Sequence, residues 1–263
     1  MTTSLRTIET TRGRIGYRTA GTGPDTLLLL HGLGGNSLSW DAQLTGLADG
    51  RSVVAWDAPG YGASDDLPTE DPSPDDYVGA LGAFMDALRI ETCDLVGHSM
   101  GGIVAARFAA SHPARIRSLI LSCTSADFSP SGPGFAARVE DLHTMPAAEF
   151  GRLRAEGMAA PATPQPVRDR LTAVAATARL SGFAAAARML GQSDNRHLLP
   201  HLSLPVMVIA GAEDRIAPVV EADRLAALIP GARRVTIAGA GHAPYAEAVA
   251  SYNDAVSDFL SRR

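Results

Sequence analysis

A serine flanked by glycines lies at a predicted turn between a strand and a helix. Ser99 stands between Gly97 and Gly101, directly after an apolar run and directly before a helix-forming stretch. A sharp strand-to-helix turn needs small residues two places before and after its centre, so that the chain segments can pass. Such a turn exposes the serine hydroxyl and aims the following backbone N–H groups at whatever the hydroxyl attacks. The chemistry indicated is acyl transfer.

A serine hydroxyl is a poor nucleophile until a base removes its proton, and that base needs an anionic partner. His242 lies in a loop of small residues after the last predicted strand, where it could reach back over the sheet. Asp214 follows the predicted strand over 206–210, at a strand end of the kind where open α/β sheets collect site residues. The sequence therefore predicts Ser99 as nucleophile, His242 as base and Asp214 as acid.

Other carboxylates and histidines compete for these roles. Glu213 neighbours the predicted acid, and Asp127 follows another predicted strand, so either could in principle supply the carboxylate. Five further histidines lie at a helix end, in or near the region 124–200, or next to the serine. Structural roles are expected for them: His98, His112, His143, His197 and His201.

Two backbone N–H donors should face the oxyanion that forms when a carbonyl is attacked. Met100 directly follows the serine and is expected to supply one of them. Leu33 lies in a glycine-rich loop over 31–36, after a predicted strand, and could supply the other. The glycines would let this loop approach the reacting atoms closely.

The same glycine-rich loop has a rival interpretation as a dinucleotide site, with Asp57 at the end of the next strand as the ribose-binding acid. That pattern lacks its third glycine, because Ser37 stands there, and it leaves Ser99 unexplained. A tight turn at Pro59-Gly60 accounts for Asp57 as a structural residue instead.

The composition of the chain excludes several classes of function. Its 263 residues carry a net charge of −5 and are 46% hydrophobic, as expected of a globular α/β protein. The arginines are scattered, so no nucleic-acid partner is expected. The chain has no lysine, which excludes Schiff-base chemistry, pyridoxal-phosphate chemistry and a phosphate-binding P-loop. Cys93 and Cys123 fall in or beside apolar runs and are expected to be reduced core thiols.

The N-terminal residues lack the apolar stretch of a secretion signal, and no segment approaches the roughly 18 apolar residues that a membrane span needs. We therefore expect a cytoplasmic protein without a membrane partner. No metal and no cofactor are expected, and assembly into a homo-oligomer is left open.

These residues need a sheet that brings strand ends together. Alternating residues predict a hairpin over 5–19, and apolar runs predict strands over 26–30, 53–56, 93–96, 116–122, 206–210 and 233–238. Helices are predicted over 74–88, 100–111, 219–229 and 245–261. This alternation favours a mostly parallel sheet covered on both faces.

The alternation stops over 124–200, a segment rich in Ala, Pro and Arg with no convincing strand. A structureless loop of that length is improbable inside a compact domain, and part of the segment has apolar residues at helical spacing. The predicted organisation is a core formed by 1–123 and 201–263 with an inserted helical cap over 124–200, which would shape a substrate pocket.

Five motifs together resemble the α/β-hydrolase superfamily over nearly the whole chain. They are His31-Gly32-Leu33-Gly34, Asp57-Ala58-Pro59-Gly60-Tyr61-Gly62, Gly97-His98-Ser99-Met100-Gly101-Gly102, Gly211-Ala212-Glu213-Asp214 and Gly241-His242. The resemblance implies the α/β-hydrolase fold and a helical cap. It also implies the same catalytic serine, acid and histidine, with Leu33 and Met100 as oxyanion donors.

Within that superfamily the chain is similar to small carboxylesterases and 3-oxoadipate enol-lactonases, with a suggestive stretch over 181–190. This implies hydrolysis of a small carboxylic ester or lactone. Cofactor-free haloperoxidases and perhydrolases share these motifs and stay open as alternatives. So do carbon–carbon bond hydrolases, although the oxyanion loop lacks their Gly-Pro-Gly type of sequence. A haloalkane dehalogenase would carry an aspartate at position 99. A ligand receptor without turnover is the alternative from another class.

Substrate contacts are expected from His31, Trp40, Phe128 and Phe183. Other large apolar side chains of the predicted cap could line a pocket, although helical spacing favours core packing for most of them: Phe135, Met145, Phe150, Met158 and Met189. Arginines of the cap could hold a substrate carboxylate, among them Arg138, Arg179 and Arg188.

Overall fold

A computed structural model gives the fold of residues 3–128 and 134–262. Eight strands form one sheet in the order β1-β2-β4-β3-β5-β6-β7-β8. Their bounds are β1 Arg6–Thr10, β2 Gly13–Ala20, β3 Asp25–Leu30, β4 Arg51–Trp56, β5 Cys93–His98, β6 Ile116–Ser122, β7 Val206–Gly211 and β8 Arg233–Ile237. Each of the predicted strands is present, with ends within two residues of those expected from the apolar runs.

Strands β3 to β8 pair in parallel, while β2 pairs antiparallel with both β1 and β4. Every residue of β5 and β7 is buried, because helices cover both faces of the sheet. The mostly parallel sheet predicted from the sequence is confirmed. Since the parallel strands run in one direction, the loops that follow β3, β5, β7 and β8 meet at one edge.

Ten α-helices lie in the described chain: α1 Asp41–Gly46, α2 Pro74–Ala87, α3 Met100–Ser111, α4 Gly134–Thr144, α5 Ala147–Met158, α6 Gln165–Ala175, α7 Leu180–Gly191, α8 Val219–Leu228, α9 Pro244–Glu247 and α10 Val249–Ser261. The single helix predicted over 245–261 is two helices. Ala248, with φ −135° and ψ 59°, leaves the helical region and separates α9 from α10.

Helices α4 to α7 follow one another between β6 and β7, and we call them the helical insertion. Their packing includes an edge-to-face contact between Phe150 and Phe183, with ring centroids 5.5 Å apart. Arg179 joins the insertion to the sheet side by donating to Asp66 Oδ1 at 2.9 Å and to the Ser64 carbonyl at 2.7 Å. The insertion is thus attached to the loop after β4.

The core has one apolar cluster on each face of the sheet, the first around α2 and α3 and the second around α1 and α10. Cys93 and Cys123 are buried and not in a disulfide. Within the described residues, no helix has the length and apolar character needed to cross a bilayer.

Candidate active site

Ser99 occupies the turn between β5 and α3 in a backbone conformation that L-residues seldom adopt, with φ 51° and ψ −116°. Its N–H donates to the Ser122 carbonyl at 2.9 Å, and its carbonyl accepts from the Thr124 hydroxyl at 2.8 Å. A strained residue persists only where surrounding contacts hold it. These bonds fix the position from which the hydroxyl projects.

The glycines around this turn have the steric role expected from the sequence. A Cβ on Gly97 would collide with the Gly101 carbonyl oxygen, and one on Gly101 would collide with the Leu30 carbonyl oxygen. A Cβ on Gly32 would lie 3.1 Å from the Cβ of Ser99. The loop after β3 and the turn after β5 therefore approach each other as closely as backbone allows.

The structure brings together the three residues that the sequence places after separate strands. His242 Nε2 lies 3.1 Å from Ser99 Oγ, and His242 Nδ1 lies 2.8 Å from Asp214 Oδ2. All three side chains are buried. In this order a histidine can take the hydroxyl proton at Nε2 while its Nδ1–H donates to the carboxylate.

Asp214 is held as an ion in spite of its burial. Its Oδ1 accepts the backbone N–H groups of Ile216 at 2.8 Å and Ala217 at 2.9 Å. Burial by itself would raise the pKa of this carboxyl, but the hydrogen bond and charge of His242, with these two N–H groups, lower the pKa below its ordinary value. A charged carboxylate is what an imidazolium partner needs.

The competing carboxylates do not reach the histidine. Glu213 is exposed. Asp127 is partly exposed and lies 3.7 Å from the Arg196 guanidinium. Among the histidines, His98 packs beside the site, with its ring 4.9 Å from that of His242. Burial, together with the charge of His242, lowers the pKa of His98 well below its ordinary value, which favours a neutral, structural ring.

The backbone N–H groups of Leu33 and Met100 have no hydrogen-bond acceptor within the described part of the chain. Met100 is the first residue of α3, where the N–H has no partner inside the helix. Leu33 borders the cavity in front of Ser99. Two unpaired donors thus lie on the segments that follow β3 and β5. Their role toward an oxyanion stays a prediction.

Three of the four residues expected to contact substrate do not border this cavity. Both ring nitrogens of His31 are occupied, since Nε2 accepts the Ala58 N–H at 3.0 Å and Nδ1 lies 2.8 Å from the Gly32 carbonyl. Trp40 is fully buried, with its ring 4.9 Å from that of Tyr245.

Phe183 is also fully buried, behind the loop at Gly34. Its ring would lie 3.4 Å from a Cβ at that position. His31, Trp40 and Phe183 therefore pack behind the loops around the cavity and do not form its surface. Phe128 does border the cavity.

Asp57 has the structural role rather than the ribose-binding one. Its Oδ1 accepts the Ser37 N–H at 2.7 Å and its Oδ2 accepts the Ala63 N–H at 3.0 Å. A Cβ on Gly62 would collide with this carboxylate. Because both oxygens are bound and the group is buried, it is not available to a ribose.

A carboxylate that no sequence motif marks holds the loop that carries the histidine. Glu247 Oε1 accepts the N–H groups of Gly241 and Ala243, each at 3.0 Å. Its Oε2 accepts the Ala160 N–H at 2.7 Å and the Thr163 hydroxyl at 2.5 Å. The latter two donors lie 87 and 84 residues away in the sequence. Glu247 therefore connects the histidine loop to the helical insertion.

We expect Glu247→Gln to lower kcat on an ester substrate by about 10- to 100-fold, because one amide cannot accept four hydrogen bonds. Loss of these bonds should also lower the free energy of unfolding by about 1–3 kcal/mol. Steady-state kinetics and urea unfolding measure the two effects. Glu9→Gln, at an exposed position of β1, is the control and should change neither. An unchanged kcat would show that the loop keeps its geometry without this carboxylate.

The cavity in front of Ser99 has a volume of about 320 Å³. Ser99, His98 and His242 border it on the sheet side, with the loop after β3. The insertion supplies the opposite wall, including Phe135 and Met158, two of the apolar residues considered from the sequence. The other three, Met145, Phe150 and Met189, do not border the cavity.

Among the arginines considered for a substrate carboxylate, only Arg138 borders the cavity. Arg179 binds Asp66, and Arg188 donates to the Glu70 carbonyl. Arg170 borders the cavity as well, and so does Arg154, although no motif marks it. A signal for it exists in the sequence, since it stands four residues after Phe150 and four before Met158, on one face of α5.

One buried group in the described structure has the donor types of a metal site. Its members are Cys123, Asp214 and His242, whose ligand atoms lie within 4.8 Å of one another. Asp214 and His242 already hydrogen bond to each other, and burial raises the pKa of the Cys123 thiol well above its ordinary value. Since metals bind the thiolate, the hydrogen-bonded relay to Ser99 explains this group better.

With this geometry in view, the chain matches the Alpha/beta hydrolase family over residues 27–256, and it belongs to that family. The fold expected from the five motifs is confirmed. The family assignment covers the strands and the loops that carry Ser99, Asp214 and His242.

Three known proteins illustrate the similarity. A pimeloyl-(acyl-carrier protein) methyl ester esterase from Aeromonas hydrophila is 30% identical over 250 residues, which cover 91% of this chain and 96% of that protein. A thermophilic esterase from Thermogutta terrifontis, solved with malate bound, has a TM-score of 0.88 at 28% identity over 98% of each chain. The enol-lactonase from Burkholderia xenovorans LB400 has a TM-score of 0.90 over 98% of this chain and 100% of that one. Because the two sequences are only 24% identical, this similarity shows the fold alone.

Proposed function

We propose that this protein is a serine hydrolase that cleaves a small carboxylic ester or lactone through an acyl-enzyme. The observation that carries the proposal is the hydrogen-bonded series from Ser99 Oγ through His242 to Asp214, with the serine and histidine bordering a cavity. The names of two relatives, both esterases, agree with it.

In the first half of the reaction, Ser99 Oγ attacks the substrate carbonyl carbon while His242 Nε2 takes the hydroxyl proton. Asp214 stabilises the imidazolium that results. The carbonyl oxygen becomes an oxyanion and accepts hydrogen bonds from the N–H groups of Leu33 and Met100. When the tetrahedral intermediate collapses, the bond to the alcohol oxygen breaks, and the imidazolium returns its proton to that oxygen.

The second half repeats these steps with water. His242 removes a proton from the water as it attacks the acyl carbon, and the imidazolium then protonates Ser99 Oγ as the acid leaves. With a lactone, the alcohol and the acid are two ends of one product. In this scheme the helical insertion, with the rest of 124–200, acts as a cap that bounds the substrate pocket, and Phe128 contributes an apolar contact.

A panel of p-nitrophenyl esters of increasing acyl length, tested beside simple lactones, examines the proposal. A cavity of about 320 Å³ is at the lower end of the range for small-ligand sites, so short acyl chains should react fastest. A fluorophosphonate probe should label one serine per chain. Ligand binding with neither turnover nor labelling would contradict the proposal and favour a receptor. Faster acyl transfer to hydrogen peroxide than to water would favour a perhydrolase.

A further inference from the structure

The guanidinium of Arg154, in the cavity wall, is buried and has no partner among the described residues. Arg154, on α5, is only 9% exposed, and its Nε is buried without a hydrogen bond. Across residues 3–128 and 134–262, its guanidinium makes neither an ion pair nor a hydrogen bond. Arg154 borders the cavity that Ser99 and His242 also border.

A buried and unpaired guanidinium is unfavourable for the folded protein. Removing a charge from water costs several kcal/mol unless another group compensates it. Burial, reinforced by the nearby positive charge of Arg138, lowers the pKa of Arg154 to about 10. At neutral pH the group therefore keeps its charge. Asp141 attracts it at longer range but lies beyond ion-pair distance.

Two neighbouring arginines of the insertion do have partners. Arg152 pairs with Glu156 at 2.6 Å, and Arg168 donates to the carbonyls of Ala160 and Thr163. The guanidinium groups of Arg152 and Arg168 are therefore satisfied by protein atoms. Because Arg154 lacks such a partner, we expect its partner to arrive with the substrate.

The charges around the cavity favour an anion. Its charged border consists of Arg138, Arg154 and Arg170, against one acidic residue, Asp41. A planar guanidinium presents parallel N–H donors that match the two oxygens of a carboxylate. Carboxylate binding would satisfy the buried donors of Arg154 and would offset the repulsion from Arg138.

We infer that Arg154 binds a carboxylate of the substrate, so that the ester or lactone cleaved at Ser99 carries a second, anionic group. This inference rests on the proposed hydrolase function and narrows its substrate class. Arg154 is assigned to substrate binding and Arg138 to a supporting positive charge. Neither takes part in bond cleavage.

Matched substrates test the inference. Monomethyl adipate is compared with methyl hexanoate, and a carboxymethyl-substituted γ-lactone with the plain γ-lactone. We expect kcat/KM to favour the anionic member of at least one pair by about 100-fold, and Arg154→Gln to abolish that preference. Arg152→Gln, an exposed change on the same helix, should leave it intact. Activity of Arg152→Gln toward the neutral members should also stay within about threefold of the unmodified protein. Equal rates on both members of both pairs in the unmodified protein would overturn the inference.

Thermal unfolding supplies a measurement that does not depend on turnover. Arg154→Met keeps the length of the side chain and removes the unpaired charge, so the ligand-free variant should melt no lower than the unmodified protein. Adipate should raise the melting temperature of the unmodified protein and have no effect on the variant. A large loss of stability in Arg154→Met, with the same response to adipate in both proteins, would assign the arginine to packing. If no ester or lactone reacts while adipate still stabilises only the unmodified protein, the hydrolase proposal fails and the carboxylate site stands.

Discussion

Ser99→Ala should lower the rate of ester hydrolysis by about 10⁶-fold and leave the fold intact. The hydroxyl lies 3.1 Å from His242 Nε2, so its removal takes away the atom that attacks the carbonyl. Alanine carries the same Cβ as serine and so meets the same steric limit at this positive φ, and the bonds of residue 99 to Ser122 and Thr124 use backbone atoms of that residue. The strained turn should therefore keep its geometry. Stopped assays with a p-nitrophenyl ester, corrected for spontaneous hydrolysis, measure the loss.

Two controls separate chemistry from folding. The melting temperature of Ser99→Ala should match that of the unmodified protein, and fluorophosphonate labelling should disappear. Ser251→Ala, at an exposed position of α10, should retain both activity and labelling. If Ser99→Ala kept most of its activity, the nucleophile would be another group and the proposed mechanism would be wrong.

Asp214→Asn should lower kcat by about 10⁴-fold with little change in KM. The carboxylate accepts the Nδ1–H of His242, which leaves Nε2 free to accept the serine proton. The Oδ1 atom accepts two backbone N–H groups, so an asparagine would keep its oxygen there and turn its NH₂ toward the ring. That contact favours the other tautomer, in which Nε2 carries the proton and cannot act as the base. Kinetics at several pH values above 6 measure the effect under conditions where the aspartate is ionised.

Glu213 gives a matched control for this substitution, because it is the adjacent residue and is exposed. Glu213→Gln changes the charge by the same amount and should leave kcat unchanged. Asp127→Asn tests the competing acid in the same way and should also have no effect. A full loss of activity in Asp127→Asn with normal activity in Asp214→Asn would reverse the assignment.

The parts of the site that the sequence predicted are those that depend on local chain geometry. A turn that needs glycine at Gly97 and Gly101 is encoded within five residues, and so is its position between a strand and a helix. Asp214 and His242 each follow a buried apolar run, and in a parallel sheet this is enough to place them at the same edge. The predicted strand ends lie within two residues of the observed ones, because continuous apolar runs mark strands that are buried on both faces.

The residues that were missed depend on contacts between distant segments. Glu247 binds donors on its own loop and on the insertion, and no motif specifies such a combination. The break at Ala248 accompanies those contacts, so helical periodicity alone predicted one continuous helix over 245–261. His31, Trp40 and Phe183 have the composition of pocket residues, yet each is buried behind the loops that it supports. The direction in which a side chain of the insertion points is fixed only when its helices dock.

The amino-acid sequence by itself determined the sheet, the order of the three chemical groups and the class of reaction they suit, since these follow from periodicity and short motifs. Only the tertiary structure decided that Arg154 lies in the cavity wall without a counter-ion in the described part of the chain, while Arg179 and Arg188 bind protein groups. Every arginine carries the same charge in the sequence. Whether that charge is paired depends on which distant atoms surround it after folding, and this decides which of them remain available to a substrate.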